Sequence, residues 1–285
     1  MSVITNISPL PFYDDISQQH HRKGYSYGNI FPLICANSTI LPFQVPITAD
    51  HGITKLSDID EIELRSLQSS SAVDIKQSMI DTGLGVIDKS SYYIIKYLGM
   101  FPISNIDAGQ YYLKIVPVGS GKPLYSEVFT FKNEKHQGVT ITYGNSNNFL
   151  VNNCEIDFSS FRFIVHIDSQ VGLPEYTYEE EADERLGYVF IRQQISKKLT
   201  RFSFVAPEYL CDALRLIRLC ENKNIKHDEK DEKMLTFDMS VDWLDQGDLA
   251  AVECEYEIDN VIVSTAGYGS PNIGDFNEDF NADFE

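Results

Sequence analysis

A mainly-β protein is what this sequence predicts, and three observations predict it. Apolar and polar residues alternate with a period of two in one short run after another, most cleanly in Leu235-Thr-Phe-Asp-Met-Ser-Val-Asp-Trp243. The 285 residues include 16 Tyr and 17 Phe, rings that suit a pleated, half-buried face. Only one segment, which starts at Pro207, carries a sustained helical stripe. With 43% hydrophobic residues the chain can bury a sizeable core. The expected architecture is two β-sandwich-like domains with an extended arm at each end. Residues 1–27 form an N-terminal arm, 28–134 an immunoglobulin-like β-sandwich, 135–265 a second β domain whose sheet packs one helix at 207–221, and 266–285 an acidic tail.

Residues 1–27 hold Pro9, Pro11, Asp14-Asp15 and His20-His21 with no sustained period of either kind. The scattered Phe12, Tyr13, Tyr25 and Tyr27 suit an extended arm that orders against its own domain or against a neighbouring subunit. Adjacent His20 and His21 point to opposite faces of an extended chain, so they read as a solvated pair rather than half a metal site. The apolar runs 30–35 and 39–47 are broken by Pro32, Pro42 and Pro46, which assigns them to edge strands or extended connections. Strands follow at Ile59 to Leu67, Ala72 to Lys76 and Tyr92 to Leu98, with turns at Asp81-Thr-Gly and Asp107-Ala-Gly.

The centre of the first domain is a hairpin. Tyr111, Leu113 and Ile115 share one face of its first arm, and Tyr125, Glu127, Phe129 and Phe131 share one face of the second. Gly119-Ser-Gly supplies the turn. Polar Lys132 to Gly138 marks the boundary between the domains. Beyond it, Val139 to Tyr143 and Phe161 to Ile167 resume the period of two. Gly187 to Gln194 and Lys198 to Ala206 read as a second hairpin, preceded by an acidic loop at Tyr178-Glu-Glu-Glu-Ala-Asp-Glu. In the helix, Leu210, Ala213, Leu214, Ile217 and Cys220 form the buried stripe. Pro207 and Glu208 suit its positive end. Leu235, Phe237, Met239, Val241 and Trp243 should face the core from a strand that pairs antiparallel with Val252 to Ile258. The final stretch repeats Asp-Phe every four residues, at Phe276, Phe280 and Phe284. It is too polar to build a core, and reads as a disordered tail or a docking peptide whose rings fill pockets on a partner.

A net charge of −19 argues against binding nucleic acid through a broad basic surface. The five cysteines, widely spaced and without a Cys-x-x-Cys pair, argue against a disulfide scaffold or a zinc knuckle. Met1-Ser-Val-Ile-Thr-Asn lacks the charged and apolar regions of a leader, and no window is long and apolar enough for a bilayer. Synthesis in a reducing cytoplasm is expected. Neither a catalytic nor a metal constellation emerges, and no cofactor is expected. Gly119-Ser-Gly-Lys122 lacks the first glycine and the final Ser or Thr of a phosphate loop. Asp58-Ile-Asp60 is a weak calcium signal. His166, near Asp168, reads as the outward face of a strand rather than a general base.

Leu41-Pro-Phe-Gln, Gly109-Gln-Tyr-Tyr-Leu with Tyr125-Ser-Glu-Val-Phe, the Pro207-Glu-Tyr-Leu-Cys-Asp-Ala-Leu helix and the terminal Asp-Phe-Asn repeat together carry a resemblance. From about residue 28 onward the chain resembles virion structural proteins of tailed bacteriophages that infect Bacteroides-type bacteria, the crAss-like phages. The resemblance implies a structural subunit of a tail or portal-proximal neck ring, localised in the virion and without enzymatic residues. Its implied partners are copies of itself and other tail, neck or portal proteins, with no membrane contact. Phe12, Tyr13, Tyr25, Tyr27, Phe276, Phe280 and Phe284 are the expected partner-binding residues, because terminal arms let neighbours interlock. Two other readings compete. One is a glycan-binding β-sandwich of a phage tail or cell surface, with Tyr92-Tyr93 or Tyr176 and Tyr178 as its platform. The other is a hydrolase that would need close carboxylates in a cleft.

Overall fold

The computed structural model describes residues 8–22, 31–36, 39–100, 106–134, 136–151, 153–185, 188–228, 230–243, 249–258 and 262–265. In the first half these form β1 (Phe12–Tyr13), β2 (Ile34–Ala36), β3 (Phe43–Ile47), β4 (Ile59–Ser66), β5 (Ala72–Asp74), α1 (Lys76–Thr82), β6 (Gly85–Asp88), β7 (Tyr93–Tyr97), β8 (Gly109–Pro117), β9 (Leu124–Ser126) and β10 (Phe129–Lys132). The second half holds β11 (Val139–Gly144), β12 (Phe149–Val151), β13 (Cys154–Ile156), β14 (Phe163–Ile167), β15 (Glu175–Arg185), β16 (Tyr188–Pro207), α2 (Glu208–Leu214), β17 (Asn222–His227), β18 (Lys230–Trp243), β19 (Leu249–Ile258) and β20 (Ile262–Thr265). The class is mainly β.

In the first half, a sheet in the order β1-β9-β8-β10-β2, with β4 and β5 on the other edge of β8, faces a small sheet ordered β3-β7-β6. Phe12 and Phe43 meet across the gap with ring centroids 4.8 Å apart. Pro46 lies in β3, at the edge of the small sheet, where its missing N–H costs no ladder bond. The turn expected at Asp81-Thr-Gly is the end of α1. The Asp74 carboxylate accepts the Lys76 N–H at 3.0 Å, and Gly83 closes the helix at φ 127°.

The predicted hairpin forms, but its second arm is broken. Tyr125 lies opposite Lys114 and Phe129 opposite Tyr111, so four steps on one side match three on the other. This is a β-bulge, and it turns Ser126, Glu127 and Val128 inward, each at most 1% exposed. The Ser126 hydroxyl takes the place of a strand carbonyl by accepting the Leu113 N–H at 2.8 Å.

Of the arm expected over residues 1–27 to order against its own domain or a neighbouring subunit, residues 8–22 pack on the chain's own first sheet. Phe12 pairs with Ser126 and Tyr13 with Tyr125, and Leu10 and Phe12 are buried. The Glu127 carboxylate holds this segment, accepting from the Tyr13 hydroxyl at 3.2 Å, the His20 N–H at 2.8 Å and the Val128 N–H at 3.0 Å. Burial first, and the Glu127 charge second, push the Tyr13 hydroxyl pKa far above its usual value. His20 is buried and His21 lies 4.0 Å from Glu127, so the pair is not solvated. Asp14 adds a second anchor, 3.1 Å from the fully buried His51.

The two halves share one hydrophobic cluster running from Phe12 and Phe43 through Phe163 and Tyr143 to Leu214. Gln44 bridges them with both ends of its amide, donating to the Asp157 carbonyl at 2.6 Å and accepting the Asp157 N–H at 3.0 Å. A bridge from Leu33 to Ile167 crosses the same seam. The halves on either side of the expected boundary at Lys132 to Gly138 are therefore packed against one another.

In the second half an eight-stranded sheet runs β14-β11-β17-β18-β19-β16-β15, with β20 beside β16. Two expectations fail here. Residues 188–207 are one 20-residue strand rather than a hairpin, and the acidic run from Tyr178, expected as a loop, is the strand that pairs with it. Salt bridges across the pair, Lys197 to Glu179 at 2.6 Å and Arg201 to Glu175 at 2.8 Å, make an acidic strand tolerable. In β18 a register shift between Met234 and Thr236 buries Met234 and leaves Leu235 exposed. Phe237 faces the core as expected, but exposure grows along the strand until Trp243 is 49% exposed. The helix covers its predicted buried stripe, although α2 ends at Leu214 and a 3-10 turn, Arg215–Leu219, completes it.

Replacing Glu127 by Ala should destabilise the protein by about 3 kcal/mol, because the Tyr13, His20 and Val128 donors are left buried without an acceptor. Glu127→Gln keeps one acceptor oxygen and should lose roughly half as much. Urea denaturation followed by circular dichroism measures both; an unchanged midpoint in Glu127→Ala would refute the anchoring role.

Candidate functional site

Two features stand out as places where function could reside: a cavity at the seam between the halves and the long ribbon of β15 and β16. The cavity holds about 1110 Å³ and lies over the outer face of β14, β11 and β17. Register places His166, Thr140 and Lys226 in one row across these strands, and Thr39, Ile40, Asn133 and residues 136–138 rim it.

His166 does stand on the outward face of β14, as expected. It is nevertheless only 6% exposed, which corrects the solvent-facing reading. Its Nδ1 lies 2.9 Å from the Thr140 hydroxyl, and its ring meets His136 edge-on at 5.2 Å. The His136 Nε2 is 3.1 Å from the Val139 carbonyl. Burial, followed by the neighbouring His136, lowers the His166 pKa to about 4, with the Ile40 carbonyl opposing. Burial also lowers that of His136. Both rings are therefore neutral at pH 7.

A hydroxyl beside an imidazole is the start of a nucleophile and base pair, but a ring held near pKa 4 takes protons poorly at pH 7. Among the described residues no carboxylate orients the His166 ring from its far side. Asp168 is engaged by Lys132 at 2.7 Å, and Asp228 lies 3.3 Å from His227. Among the described residues no three His, Cys, Asp or Glu side chains are placed to hold a metal ion. Asp58, the weak calcium candidate, instead caps its own turn, accepting from the Thr54 and Lys55 N–H groups at 3.0 and 3.2 Å. All five cysteines are buried, and burial raises the thiols of Cys35 and Cys220 to about 12 and that of Cys211 to about 11, so these stay protonated. In the Gly119-Ser-Gly121 turn, Gly119 takes φ 82°, and a Cβ on Gly121 would run into the His51 carbonyl, so these glycines serve the turn.

The ribbon is the second feature. Residues 199–207 of β16 pair with β19 in the body of the sheet, whereas 188–198 have only β15 and β20 as strand neighbours. Eleven residues of β15 span about 35 Å. Arg201 marks the point of departure, reaching Glu175 on β15 at 2.8 Å and Glu255 on β19 at 2.7 Å. Beyond it Tyr176 and Tyr178, two residues apart on one face, are 61% and 75% exposed. The acidic signal that suggested a loop concealed this element.

Of the expected partner-binding residues, Phe12 and Tyr13 are buried and paired in the chain's own first sheet. Tyr25, Tyr27, Phe276, Phe280 and Phe284 lie outside the described residues. Tyr92, from the alternative platform, is half-buried, and its hydroxyl accepts the Glu155 N–H at 2.7 Å.

Comparison with known proteins finds no family model that matches the chain and no curated protein significantly similar to it.

The histidine pair gives the stability a defined pH dependence. His166 binds its proton at pKa about 4 in the folded chain and at 6.5 in the unfolded one, so the unfolded state takes up more protons between these values. Its contribution is complete above pH 6.5 and is lost as the pH falls towards 4, by roughly 3 kcal/mol in all. Urea midpoints at pH 7.5 and 4.5 should show this loss, and His166→Gln should reduce the difference. An equal difference in that variant would refute the assignment.

Proposed function

We propose that this protein is a structural subunit of a tailed-bacteriophage virion, built into a ring of the tail or of the portal-proximal neck. The observation that carries the reading is the ribbon: a 20-residue strand with its partner leaves the packed body and presents exposed aromatic rings. A rigid element of this kind suits subunit–subunit contact, since its backbone bonds are already made and little entropy is lost on docking. The motifs at 41–44, 109–128 and 207–214 and the terminal Asp-Phe-Asn repeat support the same reading through their resemblance to crAss-like virion proteins. Copies of the chain around the ring and other tail, neck or portal proteins are its partners. Synthesis takes place in the host cytoplasm. Repetition around a closed ring multiplies contacts that are individually modest.

One observation favours a second reading, a glycan-binding module. Tyr176 and Tyr178 stand exposed on one face and could stack against sugar rings. A glycan array separates the two: the assembly reading expects no binding, and the glycan reading expects binding that Tyr176→Ala and Tyr178→Ala abolish.

The assembly reading is tested on particles. Antibody against the chain should decorate the tail or neck in electron micrographs, and a variant in which residues 178–196 are replaced by an Asn-Gly turn should fold yet be missing from particles. Particles that lack the unaltered chain would overturn the reading.

A further inference from the structure

Strand β15 ends the eight-stranded sheet, and among the described residues no strand pairs with its outer edge. An open edge eleven residues long presents a row of backbone donors and acceptors, a template on which another strand can be laid. Proteins blunt such edges by keeping them short, by interrupting them with proline or by charging them. This edge is long and free of proline. It is charged with one sign: Glu175, Glu179, Glu180, Glu181, Asp183 and Glu184 stand against Arg185 alone.

That pattern selects the partner. Two copies of β15 laid edge to edge would set acidic residues against acidic residues on a chain that already carries −19, so self-pairing is disfavoured. A strand bearing Lys or Arg meets complementary charge. Glu175 and Glu179, although paired to Arg201 and Lys197, keep 60% and 59% of their side-chain surface exposed and can accept further bonds. The opposite face adds an apolar component. Register aligns Tyr178, Ser196 and Ile262 in one row across β15, β16 and β20, and Ile262 is 68% exposed beside the exposed Tyr176 and Tyr178.

We propose that the outer edge of β15 is a docking site for an extended basic segment of a different polypeptide. That segment adds as a further strand, with Lys or Arg on the face of Glu175 and Glu179 and apolar side chains on the face of Tyr176 and Tyr178. Backbone hydrogen bonds supply affinity, and the alternating side chains supply specificity. The inference rests on the proposed assembly role only in taking the ribbon as an interaction element, and it names the kind of partner that element takes.

The probe is a synthetic Lys-Val-Lys-Val-Lys-Tyr-Lys peptide, added to the full chain and followed by hydrogen exchange and by fluorescence anisotropy. A second peptide has the same sequence and charge but is N-methylated at alternate residues, which removes strand donors. Binding of the first peptide should slow exchange in residues 175–185. Its affinity should fall at least about 10-fold on N-methylation, and similarly when Glu175→Gln and Glu179→Gln are combined. Equal affinity of the two peptides would mean adhesion by charge alone and would overturn the proposal, as would protection of another surface or no binding. The virion test reads separately: particles that contain the chain while the peptide fails remove this inference and leave the assembly reading standing.

Discussion

A buried carboxylate organises the first half of the molecule. Glu127 is 1% exposed, and a carboxyl group at that depth is tolerated only if its oxygens are satisfied. The donors come from both directions of the chain: the Val128 N–H beside it, and the Tyr13 hydroxyl and His20 N–H more than a hundred positions earlier. The bulge between β9 and β10 is what turns Glu127 inward, and the N-terminal segment is what makes that position affordable. Each feature depends on the other. Around them the Glu127 N–H is given to the Pro11 carbonyl at 2.8 Å, and Gln19 donates to the Ser126 carbonyl at 2.6 Å.

The same economy of polar groups joins the halves. Asp157 is 4% exposed, and its backbone is satisfied by Gln44 from the other half, so that separating the two would strand a buried amide on each side. Lys89 and Tyr92 make comparable links to Glu155. Where the outer face of β14 and β11 meets the crossing segment, packing is less complete and the histidine-lined cavity remains. Burial of His166 and partial burial of His136 lower the pKa of both imidazoles, which makes that seam sensitive to acid.

The second half handles charge differently. Along β16 the cations Lys197 and Arg201 stand between acidic residues of β15 on one side and of β19 on the other. Such exposed pairs contribute little stability individually. Their effect is to fix which strand lies beside which, since a slip of one residue would move each cation to the opposite face. The ribbon therefore keeps a defined register outside the body of the protein, held by pairing rather than by a core. That is the property an interaction element needs.

Much of the fold was legible in the sequence because alternation of apolar residues is a local property. The strands at 109–117, 139–143 and 252–258, the buried stripe of the 207–220 helix and the mainly-β class all follow from side chains two or three to four positions apart. Leu235 misled because one inserted residue reverses the faces of a strand without altering its pattern. The acidic run from Tyr178 misled because its compensating cations lie on β16, some 18 positions away. The sequence alone established that this chain would be an acidic, ring-rich sheet protein with scattered cysteines. Only the tertiary structure decided that Phe12 and Tyr13 complete a sheet, that Glu127 belongs inside it and that an acidic stretch forms the edge of a long ribbon. In each case the partner that satisfies a backbone group or a charge is distant in the chain, and no local reading of the sequence contains it.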